Sequence, residues 1–161
     1  MMESARPAEL EDLPAIAAVA DRIRDELAEG RGGPLFLARE ACVAPIADRI
    51  RTLIDDPDGT AIVGCYDGIV LGYTLAEVET LADGRRLGRI DDLAVDPEAR
   101  ASGIGEAMMD LVLGTFRTAG CFGVDSRALP GDRQTKNFFE SFGLKARLLI
   151  VHRSFDDDAP A

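Results

Sequence analysis

Two neighbouring carboxylates, Asp91 and Asp92, lie in an apolar run that is followed by a loop with two glycines, Gly103 and Gly105. Adjacent carboxylates at this place are either charges at the end of a strand or candidates for proton transfer. Glycines between a strand and a helix leave backbone N–H groups open at the positive end of the helix, where a phosphate approaches without meeting a Cβ atom. The spacing therefore predicts an anion-binding loop that follows two adjacent carboxylates.

Arg100 begins this loop, Arg100-Ala-Ser-Gly-Ile-Gly105, and its guanidinium is a candidate charge partner for the same anion. Two other nucleotide-binding loops are alternatives. A Walker loop requires a Gly-Lys pair, which the sequence lacks, so it is excluded. The dinucleotide fingerprint requires a small residue where Met108 stands, although Asp125 lies near its expected acidic position, so this alternative stays open but less favoured.

Apolar periodicity predicts the elements in the first third of the chain. Apolar residues recur at helical spacing over 13–27 and predict an amphipathic helix, with Asp12 as its N-cap and Gly30 at its end. Residues 45–54 predict a second helix that ends at a run of Asp, Pro and Gly. The glycine-rich stretch 31–37 between the two helices predicts a loop.

Three strands are predicted next along the chain. Two β-rich runs, 61–66 and 69–78, flank Asp67-Gly68, a dipeptide typical of a two-residue hairpin turn. A turn at 82–85 then leads into a third run at 87–95. We expect these strands to form an antiparallel meander.

The second half of the sequence predicts a crossover between parallel strands. The loop 100–105 leads into a helix that reaches Gly120, and a strand at 121–126 follows that helix. Asp132 is predicted to cap a last helix that ends at Phe142. The elements together indicate an α+β fold with a mixed sheet.

The end of the chain completes the domain prediction. Residues 144–155 are rich in β-forming residues and predict one long or kinked final strand, which contains the only histidine, His152. The acidic residues at 156–161 predict a flexible tail. No linker or repeat interrupts the 161 residues, so we expect a single domain over 1–155.

Composition excludes several classes of function. The net charge of -11 and the absence of a basic stripe exclude nucleic-acid binding as the main function and favour a cationic or amine partner. The first residues lack an apolar signal segment and no long apolar run follows, so we expect a cytoplasmic protein without a membrane partner. Three cysteines without CxxC spacing and a single histidine predict neither a disulfide framework nor a metal site.

The loop motif in its context resembles a known family. Arg100-x-x-Gly103-x-Gly105 follows "IDDLAV" and precedes "DRQTKNFFESFGL", an arrangement that resembles the acyl-CoA-binding core of the GNAT N-acyltransferase superfamily. The run "IDDLAVDPEARASGIG" is most similar to the small-amine branch that includes diamine N-acetyltransferases, and "ARPAELEDLPAI" is similar to the family's first strand and helix. The resemblance implies a mostly antiparallel central sheet with helices on both faces and one β-loop-α-β crossover that splays to hold CoA.

The resemblance also implies acetyl-CoA as co-substrate and assigns the residues that bind it. The pantetheine arm would lie along residues 93–95, and the pyrophosphate would rest on the backbone amides of the loop. The implied set is Leu93, Ala94, Val95, Arg100, Ser102, Gly103, Ile104, Gly105, Glu106, Asn137 and Phe139.

Catalytic roles follow from the same resemblance. Asp91 occupies the place of a carboxylate that removes the amine proton, through water, and Asp92 is expected to bind substrate. Because side chains alternate along a strand, Asp92 is expected on the other face. Both carboxylates could equally be surface charges at the end of a strand. Phe139 stands where the family commonly has a tyrosine that protonates the leaving thiolate, and Thr135 is a poor substitute.

The sequence thus predicts an N-acetyltransferase that acts on a small-molecule primary amine or an exposed amino group by direct attack in a ternary complex. An acyl-CoA-binding regulatory or interaction protein with little turnover is the alternative, since Phe139 carries no proton to donate. The acceptor, the acyl chain and the oligomeric state stay open, and a homodimer is one open state.

Overall fold

The computed structural model of the chain describes residues 2–42 and 45–156. Five strands form one sheet in sequence order, namely β1 (Glu3–Pro7), β2 (Gly59–Tyr66), β3 (Ile69–Thr80), β4 (Arg86–Val95) and β5 (Gly123–Asp125). Neighbouring strands are antiparallel except for β4 and β5, which are parallel. The predicted α+β fold with a mostly antiparallel mixed sheet is confirmed.

Helices cover both faces of this sheet, as predicted. They are α1 (Leu13–Glu29), α2 (Gly33–Arg39), α3 (Ile46–Asp55), α4 (Ile104–Thr118) and α5 (Arg133–Ser141). Helices α1 and α3 bury Ile16 and Ile50 on one side, which we call the α1 face. Helices α4 and α5 bury Met108 and Phe139 on the other side, which we call the α4 face. None of the helices in the described ranges combines the length and apolar character needed to cross a bilayer.

The Asp67-Gly68 turn forms the predicted hairpin between β2 and β3. Both of its residues have positive φ, at 49° for Asp67 and 82° for Gly68, and Tyr66 pairs with Ile69 on either side. This is the left-handed backbone that a two-residue turn requires and that Asp-Gly adopts at low cost. The turn sets the first residue pairs of the hairpin, and an extra residue in β3, Leu71, then shifts the register between β2 and β3 by one.

The loop predicted at 31–37 is wrong, because α2 begins at Gly33. Pro34 lies in its first turn, a position that suits proline because the first N–H groups of a helix have no partner there. A Cβ on Gly33 would lie 1.6 Å from the carbonyl oxygen of Leu27. The glycine that suggested a loop therefore allows α2 to pack against the end of α1.

The Asp12 side chain has a role other than the predicted helix cap. Its carboxylate accepts hydrogen bonds from the backbone N–H of Glu9 and from both terminal nitrogens of Arg6, each at 2.8 Å. No side-chain cap bond reaches the first turn of α1. The bond from Arg6 lowers the pKa of Asp12, so this carboxylate stabilises the entry into α1 as an ion pair.

The final strand predicted at 144–155 is wrong as well. No strand follows α5 in the part of the chain that the structure describes, and the apolar side chains of residues 148–151 are exposed. A segment of high strand propensity forms a strand only when it can pair with the edge of a sheet. The tail predicted at 156–161 lies, apart from Asp156, outside the described residues.

Candidate active site

A cleft of about 1240 Å³ opens beside the second half of β4. Its walls come from β4, the loop before α4 and parts of α1, α2 and α5. Every site residue predicted from the sequence lines it, namely Asp91, Asp92, Leu93, Ala94, Val95, Arg100, Ser102, Gly103, Ile104, Gly105, Glu106, Asn137 and Phe139. The fold thus brings together two motifs and a helix that are distant in sequence.

The cleft exists because β4 and β5 separate. Their ladder ends where Arg89 pairs with Asp125, and the Ser126 hydroxyl then donates to the Ile90 carbonyl at 3.3 Å. Strand β4 continues to Val95 while β5 has ended. The stretch from Leu93 to Val95 therefore borders open space on one side, as the predicted splay requires.

The loop before α4 presents backbone N–H groups to this cleft. Gly103 has φ +89° and is the N-cap, and the first helical bond that the described residues give is from Ala107 N–H to the Gly103 carbonyl. The N–H groups of Ile104 to Glu106 are therefore left without a helical acceptor, as in the first turn of any helix. A Cβ on Gly105 would lie 3.3 Å from the Phe138 ring. This glycine-lined loop fits a phosphate group.

Arg100 already has a carboxylate partner at the edge of the cleft. Its two terminal nitrogens donate to the two carboxylate oxygens of Glu26, on α1, at 2.7 and 2.9 Å. Both residues line the cleft, so the pair connects α1 to the loop. Sequence reasoning missed Glu26, because the two residues are 74 positions apart and no local pattern marks the contact.

A bulge in β4 places the two adjacent carboxylates on the same face of the sheet. Ala76 pairs with Ile90 and Leu75 pairs with Asp92, so Asp91 is an extra residue with no partner on β3. Leu75 belongs to the core of the α1 face, and residues opposite each other point to the same side. The prediction that Asp92 lies on the other face is wrong, because the bulge interrupts the alternation.

Asp91 lies in a network of charged side chains. Arg89 Nε donates to its carboxylate at 2.6 Å, and Arg49 of α3 and Arg127 approach it to 3.5 and 3.8 Å. Glu77 bonds Arg49 at 2.9 Å and Arg89 at 3.0 Å. The bond to Asp91 raises the pKa of Arg89. The Asp91 carboxylate therefore offsets part of the positive charge of several guanidinium groups at this end of the cleft.

Asp92 has a different environment from Asp91. Burial raises the pKa of Asp92, and the negative charge of Asp91 raises it further. Tyr73, which pairs with Ala94 and is 4% exposed, lines the same cleft. Burial and the charge of Asp92 both raise the pKa of the Tyr73 phenol, so it keeps its proton. Sequence analysis missed Tyr73, because its place opposite Ala94 depends on the bulge at Asp91, which no sequence pattern marks.

Helix α5 supplies the far wall of the cleft. Asp132 caps it, as predicted, by accepting from the N–H and the hydroxyl of Thr135 at 3.0 and 2.7 Å. Phe139 is 8% exposed, and its ring meets Phe138 edge to face at 5.6 Å. His152 is exposed and lies outside the cleft lining. The α5 residues therefore shape the wall, with the Thr135 hydroxyl already bonded to Asp132.

The sequence and the fold both resemble those of known acetyltransferases. The profile of the acetyltransferase (GNAT) family matches residues 22–144. Glucosamine 6-phosphate N-acetyltransferase of Trypanosoma brucei brucei is 33% identical over 63 residues, which are 39% of this chain and 41% of that protein. The match thus spans less than half the length of this curated relative.

Two solved structures share the fold over nearly the whole chain. A tetramutant of a Bacillus halodurans protein is 17% identical, with 94% of this chain and 99% of that chain covered and a TM-score of 0.79. An aminoglycoside acetyltransferase from an uncultured soil metagenomic sample is 17% identical, with 96% and 95% covered and a TM-score of 0.70. The described arrangement of strands and helices is therefore one that these proteins share.

Proposed function

This chain belongs to the GNAT acetyltransferase family, and from that premise we propose that it transfers the acetyl group of acetyl-CoA to a primary amine. The acceptor is a small molecule or an exposed amino group, which attacks directly in a ternary complex. One observation carries the proposal. A single cleft joins a phosphate-type loop, at Gly103, to a half-buried carboxylate, Asp92, whose pKa is raised.

The loop and the open side of β4 are the part of the cleft that fits acetyl-CoA. Its pyrophosphate would be held by the N–H groups of Ile104 to Glu106, and its extended arm by Leu93 to Val95. Arg100 can contribute a guanidinium once it exchanges Glu26 for a phosphate. When bound, acetyl-CoA supplies the acetyl group as an activated thioester.

We assign the base to Asp92 rather than to Asp91, which the family resemblance had favoured. Asp91 lies within 3.8 Å of three arginines, and removing its charge from that network would leave them without their partner. Asp92 is half-buried and its pKa is raised, which makes its carboxylate a better proton acceptor. Asp92 therefore accepts the amine proton, and Asp91 positions the charged groups around it.

Tyr73 is our candidate for the acid that returns a proton to the leaving sulfur. Phe139 has no exchangeable proton, whereas the Tyr73 phenol lines the same cleft and its raised pKa keeps it protonated. A thiol ordinarily has a pKa of about 8.5, and the pKa of Tyr73 is raised above the ordinary phenol value of about 10, so donation to the leaving sulfur costs free energy and Tyr73 acts as a weak acid.

Charge at the cleft favours an acceptor that arrives as an ammonium. Six carboxylates line the cleft, among them Asp21, Glu26 and the two of the bulge, against four arginines, Arg24, Arg31, Arg100 and Arg127. An amine with more than one ammonium group, the class that the diamine acetyltransferase-like branch implies, would interact with Asp21 and Asp92, since Glu26 and Asp91 already bond arginines.

Release of CoA thiol across a panel of amines tests the proposed function. We expect acetyl-CoA-dependent release with at least one of the polyamines, amino sugars, aminoglycosides or peptide N-termini. Saturable binding of acetyl-CoA by calorimetry with no active acceptor would instead favour the acyl-CoA-binding regulatory protein, for which the buried Phe139 is the supporting observation. Absence of both binding and turnover would contradict both functions.

A further inference from the structure

A buried carboxylate lies where β4 ends and the chain turns into the loop before α4. Asp96 follows the last residue of β4 and is 2% exposed. Its side chain accepts a hydrogen bond from the backbone N–H of Glu98 at 3.0 Å, and its own N–H donates to the Leu71 carbonyl at 2.8 Å. A carboxylate that is buried this deeply is stable in its charged form only beside a compensating cation.

Arg22 of α1 supplies this cation. Its Nη1 lies 2.7 Å from Oδ2 of Asp96. Among the described residues this oxygen has no hydrogen-bond partner, so the contact is an ion pair without the alignment of a hydrogen bond. The Arg22 side chain is 52% exposed, and neither residue belongs to the lining of the cleft. The charge of Asp96 is therefore offset from outside the cleft, by a residue that is distant in sequence.

The ion pair is one of two that join α1 to this turn. Arg22 and Glu26 lie four residues apart on α1, and residues with this spacing are neighbours on one face of a helix. Asp96 and Arg100 lie at the two ends of the helical turn Pro97–Ala99. Arg22 pairs with Asp96, and Glu26 pairs with Arg100 at 2.7 Å. One face of α1 thus contacts both ends of the turn that leads into the loop.

Binding of a phosphate would leave these two ion pairs in different states. Arg100 can contact a phosphate only when it leaves Glu26, whereas Arg22 and Asp96 lie outside the cleft and stay paired. The carboxylate of Glu26 would then lie one helical turn from the Arg22 guanidinium, which attracts it. The pair of Arg22 and Asp96 is therefore the ion pair that still joins α1 to the turn when a phosphate is bound.

The turn that begins at Asp96 also supports the conformation of the loop. The Asp96 carbonyl accepts from the Ala99 N–H at 2.9 Å, and the Ala99 carbonyl accepts from the Ser102 hydroxyl. Between them, Ala101 has φ +63°, in the left-handed region that favours glycine, so its conformation depends on the surrounding structure. A displacement of Asp96 would therefore change the path of the backbone up to Gly103.

We propose that Arg22 is a positioning residue for acetyl-CoA. By offsetting the charge of Asp96, it holds the turn against α1 while Arg100 exchanges Glu26 for a phosphate. The inference rests on the proposed function, because it requires that the loop before α4 binds the pyrophosphate. Since Arg22 lies outside the cleft, it acts on the affinity for the donor and not on the chemical step.

Calorimetry with CoA as the probe tests this role without requiring turnover. We expect Arg22→Gln to weaken CoA binding by about three- to tenfold and Arg22→Lys, which keeps the cation, by less than about twofold. Arg51→Gln is the matched control, because Arg51 is also on a helix, is 54% exposed and pairs with Asp48 at 3.2 Å. It should leave the affinity unchanged. Circular dichroism verifies that each variant is folded at the temperature of the measurement.

Turnover with a truncated donor separates positioning from a general loss of structure. S-acetylpantetheine carries the thioester but no pyrophosphate, so it does not use the loop. We expect Arg22→Gln to raise KM for acetyl-CoA with kcat unchanged, and to leave kcat/KM for S-acetylpantetheine as in the wild type.

Two results would overturn the role of Arg22 and leave the proposed function intact. One is an unchanged CoA affinity in Arg22→Gln, and the other is an equal loss of kcat/KM with both donors. A wild-type protein that does not bind CoA would contradict the proposed function itself, and this inference with it.

Discussion

The loop before α4 and the bulge of β4 line the same cleft, but different parts of the chain stabilise them. The loop depends on backbone conformation, with Gly103 at φ +89° and unpaired N–H groups at the start of the helix. The bulge depends on side chains from several elements, among them Arg49 of α3 and Glu77 of β3. The conformation of the loop is thus specified locally in the sequence, whereas the surroundings of Asp91 depend on side chains from α3, β3 and β4.

The largest effect is expected from a substitution in the bulge of β4. Asp92→Asn should lower kcat by about 10²–10⁴-fold with little change in the dissociation constant of acetyl-CoA, because the amide cannot accept the amine proton. Steady-state kinetics and calorimetry on the same samples check this. Full activity in the folded variant would remove Asp92 as the base and return that role to Asp91.

The pH dependence of the wild-type protein also tests whether Asp92 is the base. Since the pKa of Asp92 is raised in the folded protein, kcat should rise with pH through that raised value and then level off. The folded state also binds this proton more tightly than the unfolded state, so the stability it provides is lost as pH rises from the ordinary carboxyl range through the raised pKa. Asp92→Asn should therefore not lower the melting temperature at neutral pH.

Gly103→Val tests the role of the loop before α4. We expect acetyl-CoA to bind about 10- to 100-fold more weakly, the loss of one or two hydrogen bonds to a charged group at about 1.5 kcal/mol each. Gly120→Val is the matched control, because Gly120 also has positive φ, at +79°, and lies at the far end of α4 with open space around it. Equal weakening in both variants would indicate backbone strain and not a phosphate cradle.

Asp91→Asn should affect stability more than chemistry. The substitution removes the carboxylate shared by Arg49, Arg89 and Arg127, and we expect a loss of about 1–3 kcal/mol in the free energy of unfolding. Urea denaturation at neutral pH measures it, alongside kcat. A stable variant with a large loss of turnover would show that Asp91, and not its neighbour, handles the proton.

The smallest effect concerns the ion pair that connects the loop to α1. Glu26→Gln should tighten acetyl-CoA binding by about two- to fivefold, since an exposed pair of this kind is worth less than about 1 kcal/mol and competes with phosphate for Arg100. Glu29→Gln, on the same helix, should leave the affinity unchanged. Weaker binding in Glu26→Gln would mean that Glu26 holds Arg100 in its binding position.

The sequence predicts the loop before α4 better than it predicts the bulge of β4. Glycine spacing between a strand and a helix is a local signal, and so is the Asp67-Gly68 turn that joins β2 to β3. The bulge at Asp91 has no such signal, because strand alternation looks the same with or without one extra residue. The meaning of a glycine in a sequence is also ambiguous. Gly33 suggests a loop, but in the structure it allows two helices to pack closely.

The predicted final strand failed for a further reason. Residues 144–155 have the composition of a strand, but composition specifies a preference and not a partner. The same limit applies to Glu26 and Tyr73, whose contributions to the cleft depend on contacts across the fold. The loop predicted from glycine spacing lies where the sequence places it, whereas the catalytic roles stay predictions, because they depend on distant side chains.

The short ladder between β4 and β5 gives the two sides of β4 different stabilities. Strand β3 forms nine residue pairs with β4, whereas β5 is joined to β4 by three. Amide hydrogen exchange in β5 should therefore proceed through local opening, while that in β3 should require global unfolding. We therefore expect the gap beside β4 to widen by brief detachment of β5, while the sheet that carries Asp92 stays folded.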